Sequence, residues 1–190
     1  MVFMGTSLTE GLGLARPEVE AWPARIGELA DLAGIPLRVV NAGLSGETSA
    51  GSLRRLDWVL RQPADIFVLE TGANDGLRAL PIDDLEANLD SIVQRVRLGS
   101  PGTRIALVAM EAPPNLGETY AAAFRDVFPR VARRWNATLV PFPLDGVAGI
   151  PVLNQGDGIH PTSEGHWIMA KNAWPALQAL MSSSSAPTPP

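Results

Sequence analysis

The stretch Asp65-Ile66-Phe67-Val68-Leu69-Glu70 is a nearly continuous run of apolar residues that ends on a carboxylate. A strand that is apolar on both faces is typical of a parallel sheet covered by helices on its two sides. The next residues, Thr71-Gly72-Ala73-Asn74-Asp75, are polar and rich in turn formers. Because ligands of open α/β sheets bind beyond the carboxyl ends of the strands, the stretch predicts both a fold class and the edge that carries a site.

Four further runs of the same kind are spaced along the chain, and each predicts a strand. With the run above as the third, the five predicted strands cover residues 2–4, 37–41, 65–70, 104–110 and 138–142. The segments between them repeat apolar residues at helical spacing, for example at Leu85, Leu89, Ile92, Val93 and Val96. Strands that alternate with helices in this way predict an α/β fold with a parallel sheet.

Two helices and the tryptophans carry more specific expectations. The first connection is predicted to be helical over residues 18–33, with Gly34 as its stop, and the last helix to begin after Pro161. That last helix is expected to turn a set of four apolar residues inward: Trp167, Ile168, Trp174 and Leu177. Trp58 and Trp135 are expected in the core, whereas the exposure of Trp22 is left open.

The composition excludes several kinds of chemistry. The chain has no cysteine, so thiol nucleophiles, disulfides, thiolate zinc sites and iron–sulfur clusters are excluded. Its only lysine, Lys171, has neighbours that fit neither a phosphate-binding loop nor a Schiff base. With His160 and His166 as the only histidines, a three-histidine zinc site cannot form, and the net charge of −5 argues against a nucleic-acid partner. We therefore predict neither a metal nor a cofactor.

The two ends of the chain bear on domains and localisation. No run approaches the roughly 20 apolar residues of a membrane span, and no basic segment with an apolar signal core opens the chain. As it stands, the sequence predicts a soluble, cytoplasmic protein with one domain over residues 1–181. Because an apolar strand starts almost at residue 1, removal of an upstream leader would instead make the protein periplasmic or secreted. Residues 182–190 have no apolar face and are predicted to be a disordered tail.

The predicted strand ends carry the groups that serine hydrolysis requires: a hydroxyl, an imidazole, a carboxylate and donors for an oxyanion. Ser7 lies between a strand and a helix, where its oxygen and its own N–H can face a substrate. Asp157 and His160 are three residues apart in a glycine-containing loop, so their side chains can meet in a local turn. Gly43 offers an unobstructed N–H and Asn74 a side-chain amide. His166 has no carboxylate at similar spacing and is predicted to be a packing or capping residue.

These residues carry a resemblance to the SGNH (GDSL-type) hydrolase family, and within it to the small bacterial arylesterase, acyl-thioesterase and lysophospholipase group. The four matching blocks, in the family's order, are Gly5-Thr6-Ser7-Leu8-Thr9-Glu10-Gly11, Gly43 in Asn41-Ala42-Gly43, Gly72-Ala73-Asn74-Asp75, and Asp157-Gly158-Ile159-His160-Pro161. The resemblance implies a flavodoxin-like three-layer α/β/α fold with a five-stranded parallel sheet. It also implies a triad and an oxyanion hole: Ser7 as nucleophile, His160 as base, Asp157 as its partner, and Ser7, Gly43 and Asn74 as oxyanion donors.

The first block departs from the family pattern at one position. The family usually has aspartate before the serine, whereas this chain has Thr6. Threonine keeps a hydrogen-bonding oxygen but loses the charge, so the rigidity of the turn at Ser7 depends on other contacts. Because the triad roles do not use this side chain, we expect activity to persist.

The leading hypothesis is a metal-independent serine esterase that forms an acyl-enzyme from short- to medium-chain aryl or alkyl esters or thioesters. The residues predicted to line an apolar substrate pocket are Leu77, Leu80, Met110, Pro113 and Ile159. Three alternatives stay open: an esterase that removes acetyl groups from sugars, a flavodoxin-like module that cradles a flavin phosphate at residues 5–9, and an inert relative used for binding. The natural substrate and the oligomeric state are not predicted.

Overall fold

The computed structural model describes residues 1–61 and 63–182. Within them the chain forms five strands and eight α-helices in alternation. The strands are β1 (Val2–Gly5), β2 (Val40–Gly43), β3 (Ile66–Leu69), β4 (Arg104–Val108) and β5 (Thr138–Val140). The helices are α1 (Ser7–Glu10), α2 (Pro17–Glu20), α3 (Trp22–Leu32), α4 (Ser49–Val59), α5 (Ala73–Leu77), α6 (Ile82–Gly99), α7 (Glu118–Trp135) and α8 (Ser163–Ser182).

All neighbouring strands are parallel, and their order across the sheet is β2-β1-β3-β4-β5. This is the strand order of flavodoxin-like folds, in which the chain reverses its direction across the sheet after β2. The reversal puts the ends of β1, β2 and β3 side by side. The prediction of a flavodoxin-like α/β fold with a five-stranded parallel sheet is therefore confirmed.

Helices cover both faces of the sheet, because right-handed crossovers in opposite directions place their helices on opposite sides. On one side α3 packs with α1 and α8, and on the other α6 packs between α4 and α7. The predicted apolar stripe of α6 is buried, as are Phe124, Val127 and Val131 of α7. The strands β1 and β3 are buried along their whole length, so the core lies at the middle of the sheet.

Several local predictions were wrong in ways that have physical causes. The strand predicted over residues 37–41 begins instead at Val40, because pairing with β1 and not apolarity sets its register. The helix predicted over residues 18–33 is divided at Ala21, which has an extended backbone. Trp58 is 62% exposed, whereas Trp22 is fully buried. In α8, Leu177 is buried as predicted, whereas Trp167, Ile168 and Trp174 are only partly buried. The other buried residues of this helix are Gly165, His166, Met169, Ala170 and Ala173.

The end of the predicted domain falls in α8. Ser182, the first residue of the predicted tail, is the last residue of this helix, and residues 183–190 lie outside the described residues. None of the helices in the described ranges combines the length and the apolarity needed to cross a membrane.

Candidate active site

Ser7 is the first residue of α1, immediately beyond the carboxyl end of β1. The helix is one turn long and closes at Gly11, which has a φ of 82° and donates its N–H to the Ser7 carbonyl. Because the first N–H groups of a helix have no partner within it, the Ser7 N–H is available to a ligand. The side chain is only 8% exposed, so Ser7 lies at the bottom of a depression.

Asp157 and His160 lie in the loop that precedes α8. Asp157 Oδ1 accepts hydrogen bonds from the N–H groups of Ile159 (2.9 Å) and His160 (3.0 Å). Gly158 permits this tight turn because its φ is 71°, a conformation that other residues rarely adopt. The turn brings the second carboxylate oxygen, Oδ2, to 2.6 Å from His160 Nδ1. The local spacing of the two residues therefore produces the predicted contact.

The loop brings His160 to Ser7, although 153 positions separate them. The distance from His160 Nε2 to Ser7 Oγ is 2.8 Å, within the range for direct proton transfer. The hydrogen bond from the His160 ring, followed by the two backbone N–H groups, holds the pKa of the Asp157 carboxyl well below its usual range. An ionised Asp157 accepts from Nδ1–H, and this leaves Nε2 free to accept the serine proton.

Gln155 ties this loop to the segment after α1. Its side-chain amide donates both to the Leu12 carbonyl (2.7 Å) and to the Pro161 carbonyl (2.9 Å). Its backbone N–H donates to the His160 carbonyl at 2.7 Å. One side chain therefore links the parts of the chain that carry the hydroxyl and the imidazole.

The structure separates Asn74 and Gly43, two of the predicted oxyanion donors. Asn74, in α5, lines the same cavity as Ser7, and its Nδ2 donates to the Glu47 carbonyl at 2.9 Å. Gly43 does not line the cavity, because its N–H donates to Asn41 Oδ1 at 2.9 Å. The absence of a side chain at Gly43 serves packing instead, since a Cβ there would lie 2.1 Å from the backbone nitrogen of Glu10.

Gly46, three residues further along the same loop, lies at the cavity where Gly43 was expected. It lines the cavity together with Ser7 and Asn74, and it precedes the Glu47 carbonyl that Asn74 contacts. Its φ of 75° favours glycine. Both Gly43 and Gly46 lie in the predicted loop after the second strand, so the sequence indicated either glycine. Only the geometry of the turn distinguishes them.

The cavity above Ser7 has a volume of about 640 Å³ and is mostly apolar. Four of the five predicted pocket residues line it: Leu77, Met110, Pro113 and Ile159. Leu80 does not, because it lines a separate depression of about 290 Å³ together with Asp84 and Asn88. Residues that the sequence did not single out complete the lining, and the apolar ones are Leu8, Leu12, Ala73, Ala112, Pro114, Phe142, Leu144 and Ala148.

His166, the second histidine, lies outside this site. It is 1% exposed, and its Nδ1 accepts the backbone N–H of Trp22 at 3.2 Å. Trp22 begins α3, which has no side-chain cap, so His166 supplies the missing acceptor from α8. Burial, and then the nearby charge of His160, lowers the pKa of His166 to about 4. The histidine is therefore a neutral structural acceptor, in agreement with its predicted capping role.

Comparisons with known proteins identify the family of this chain. Residues 3–168 match the model of the GDSL-like lipase/acylhydrolase family. The chain is 38% identical over 183 residues to the esterase TesA of Pseudomonas aeruginosa, covering 95% of this chain and 89% of that protein. It is 31% identical over 170 residues to an arylesterase of Vibrio mimicus, covering 88% and 83% of the two chains.

Solved structures give the same result. The chain superposes on a crystal structure of TesA with a TM-score of 0.87 and 37% identity, covering 95% of this chain and 99% of that one. A psychrotrophic esterase, EstA from Pseudoalteromonas sp., inhibited by monoethylphosphonate, gives a TM-score of 0.87 and 30% identity, with coverages of 96% and 98%. The chain therefore belongs to the GDSL-like lipase/acylhydrolase family, the SGNH hydrolases.

Proposed function

We propose that the protein is a serine esterase that hydrolyses small carboxylic esters through an acyl-enzyme, with Ser7, His160 and Asp157 as its triad. The observation that carries this proposal is the continuous chain of contacts from Asp157 Oδ2 through His160 to Ser7 Oγ, at 2.6 and 2.8 Å. A hydroxyl at the bottom of an apolar cavity, beside an imidazole and amide donors, has the groups that acyl transfer requires.

In the first half of the reaction, Ser7 Oγ attacks the ester carbonyl while His160 Nε2 takes the hydroxyl proton. The carbonyl oxygen becomes an oxyanion, which the N–H groups of Ser7 and Gly46 and the amide of Asn74 stabilise. His160 then returns the proton to the departing alcohol, and the acyl group stays on Ser7. In the second half a water molecule repeats the sequence and releases the carboxylic acid. Asp157 stays ionised throughout and holds the ring with Nδ1–H toward itself.

The cavity favours esters with apolar acyl or aryl groups. Its described lining contains one ionisable side chain apart from His160, the exposed Glu111, and no basic one. The names of the relatives, an esterase and an arylesterase, support the same substrate class. Among the described residues, the cavity lining is mostly apolar and contains no lysine or arginine that could bind a phosphate. The structure therefore does not favour the acetyl-sugar or flavin alternatives.

The test is hydrolysis of p-nitrophenyl butyrate by the wild type and by Ser7→Ala. We expect the substitution to lower kcat at least 10³-fold, because the nucleophile is removed while the fold is unchanged. Circular dichroism and the unfolding midpoint serve as controls for folding. Intact-mass detection of a butyryl adduct in the wild type, absent from Ser7→Ala, identifies the acyl-enzyme. Equal rates for the two proteins would refute the proposed role of Ser7.

A further inference from the structure

We propose that Glu70 is a positioning residue, whose buried carboxylate holds the turn that presents Ser7. The proposal rests on the proposed function of Ser7 and adds a side chain that does not touch the substrate. Glu70 follows β3 directly, and its N–H donates to the Met4 carbonyl of β1 at 2.9 Å. Its backbone therefore extends the pairing of the two central strands by one residue. Its side chain is fully buried.

The carboxylate is the common acceptor for three donors around the nucleophile. Glu70 Oε2 accepts the Thr6 N–H at 2.9 Å, the Thr6 hydroxyl at 3.0 Å and the Thr9 hydroxyl at 2.8 Å. The Thr6 hydroxyl is also 3.0 Å from Oε1, so it is shared between the two carboxylate oxygens. Thr6 and Thr9 flank Ser7 on both sides along the chain. One carboxylate, immediately after β3, therefore contacts both ends of the turn that contains Ser7.

The surroundings show that this contact is built into the packing. A Cβ on Gly5 would lie 2.1 Å from Thr9 Oγ1 and 2.7 Å from Glu70 Oε2, so only glycine admits the carboxylate here. The Thr9 hydroxyl, while donating to Glu70, accepts from the indole Nε1 of the buried Trp22 at 3.3 Å. The hydroxyl hydrogens are thereby oriented toward the carboxylate.

Thr6 links Glu70 to the reacting groups. It is the N-cap of α1, with φ −93° and ψ −157°, and its peptide bond to Ser7 contains the N–H proposed to bind the oxyanion. Rotation of this peptide would move both that N–H and Ser7 Oγ. A displacement of about 1 Å at a reacting group can lower the rate roughly 10²-fold. Fixing the Thr6–Ser7 peptide should therefore maintain kcat.

Threonine at position 6 suits this pairing. A hydroxyl can donate to a carboxylate in every protonation state of the protein, whereas an aspartate could donate to Glu70 only when protonated. Burial raises the pKa of Glu70, and the hydrogen bonds from Thr6 and Thr9 oppose that effect. Among the residues that the structure describes, no cation forms an ion pair with Glu70, so these donors are its stabilising partners.

The test compares Glu70→Gln with the pair Thr6→Val and Thr6→Ser, using p-nitrophenyl butyrate. Glu70→Gln keeps the shape but replaces one acceptor oxygen with a donor, and Thr6→Val keeps the volume but removes the hydroxyl. We expect each to lower kcat about 10- to 100-fold with KM within about twofold. Thr6→Ser restores the hydroxyl and should stay within about threefold of wild type. The kcat of the double variant Glu70→Gln/Thr6→Val should be no lower than that of the less active single variant. Both substitutions break the same contact between Thr6 and Glu70, so their effects should not add.

A control separates positioning from loss of stability. Val131→Ala, in the buried face of α7, should lower the unfolding midpoint while leaving kcat unchanged. If Glu70→Gln does not fold, the comparison of kcat between Thr6→Val and Thr6→Ser still tests the proposal. Equal kcat for Thr6→Val and Thr6→Ser, or additive losses in the double variant, would overturn the proposal.

Amide hydrogen exchange tests the positioning role of Glu70 without measuring ester hydrolysis. The Thr6 and Leu8 amides should exchange at least tenfold faster in Thr6→Val than in Thr6→Ser, whether or not the protein is an esterase. Unchanged exchange would refute the positioning role of Glu70, whereas full activity of Ser7→Ala would refute the proposed function alone.

Discussion

The amide of Asn74 is the side chain whose removal isolates the oxyanion contribution. Because Nδ2 already contacts the Glu47 carbonyl, its second hydrogen can point into the cavity toward a developing negative charge. We expect Asn74→Ala to lower kcat about 10²- to 10³-fold with little change in KM, since the donor acts mainly in the transition state. Steady-state kinetics on p-nitrophenyl butyrate measure this.

A matched control is Asn88→Ala. Asn88 Nδ2 also donates to a neighbouring side chain, Ser49 Oγ, at 3.0 Å, but Asn88 lies outside the catalytic cavity. The control should keep kcat near the wild-type value. A similar loss in both variants would mean that Asn74 acts through stability and not through the oxyanion.

His166 predicts a specific loss of stability in acid. Its pKa is about 4 in the folded protein and 6.5 in its ordinary state, so the unfolded chain binds the proton more tightly. The stabilising contribution is therefore fully present above pH 6.5 and is lost as the pH falls toward 4. Because each pKa unit corresponds to about 1.4 kcal/mol, the total loss is on the order of 3 kcal/mol.

The measurement is urea unfolding at pH 7 and pH 4 for the wild type and His166→Gln. Glutamine can accept the Trp22 N–H without titrating, so its free energy of unfolding should fall less between the two pH values. Acidic groups titrate in both proteins and cancel in the difference. Identical pH dependence in the two proteins would contradict the assignment.

Individual site residues were predictable from sequence where the geometry is local. Asp157 and His160 meet because a three-residue spacing with an intervening glycine closes a turn, and Ser7 stands at a strand-to-helix junction. Gly43 was predicted to donate to an oxyanion, but in the structure Asn41 occupies its N–H and α1 packs on its Cα. That choice depends on contacts between distant segments, which a local pattern does not contain.

At the level of elements, the entry into α5 determines where Asn74 points. Gly72 precedes this helix with φ 102°, and a Cβ there would lie 3.1 Å from Phe128 Cζ of α7. We expect Gly72→Ala to reduce the free energy of unfolding by about 1–3 kcal/mol, through backbone strain and the contact with Phe128. It should also lower kcat, because α5 must shift.

Gly102→Ala is the control, since a Cβ at that position meets no atom within 4 Å. Urea unfolding of both variants, with kinetics on the same ester, makes the comparison. A Gly72→Ala protein as stable and active as wild type would show that α5 tolerates another entry angle.

The positions of helices and strands were predictable where the element is uniformly buried on one or both faces. They were less predictable where the element is only partly buried. β3 and α6 are buried on the faces that the sequence indicated, because a central strand and a covered helix must be apolar there. β2 lies at the edge of the sheet and is only partly buried, so its apolar residues do not mark its ends. In α8, Trp167 lies beside Arg25 and Lys171, with their charged groups 5.5 and 5.9 Å from its ring, and the smaller His166 turns inward.

At the scale of the whole molecule, the apolar cavity predicts a dependence on acyl length. Burial of each added methylene is worth about 0.8 kcal/mol, or roughly fourfold in kcat/KM, until the cavity is filled. We expect kcat/KM for p-nitrophenyl esters to rise from acetate to butyrate and to level off or fall with long chains. Leu77→Ala should weaken the preference for longer chains, because Leu77 lines the cavity. Leu80→Ala should leave that preference unchanged, because Leu80 lines a separate depression. A flat profile across the series would contradict an acyl-binding role for the cavity.

Ser7 and His160 are 153 positions apart, with Ser7 in the first turn after β1 and His160 just before α8. During synthesis the hydroxyl is made first and can meet the imidazole only after β2 to β5 have been made. A product that ends before His160 would lack the base of the proposed triad. By the same reasoning, two separately expressed halves could regain hydrolysis only by reassembling the sheet, which makes the protein a natural template for a split reporter.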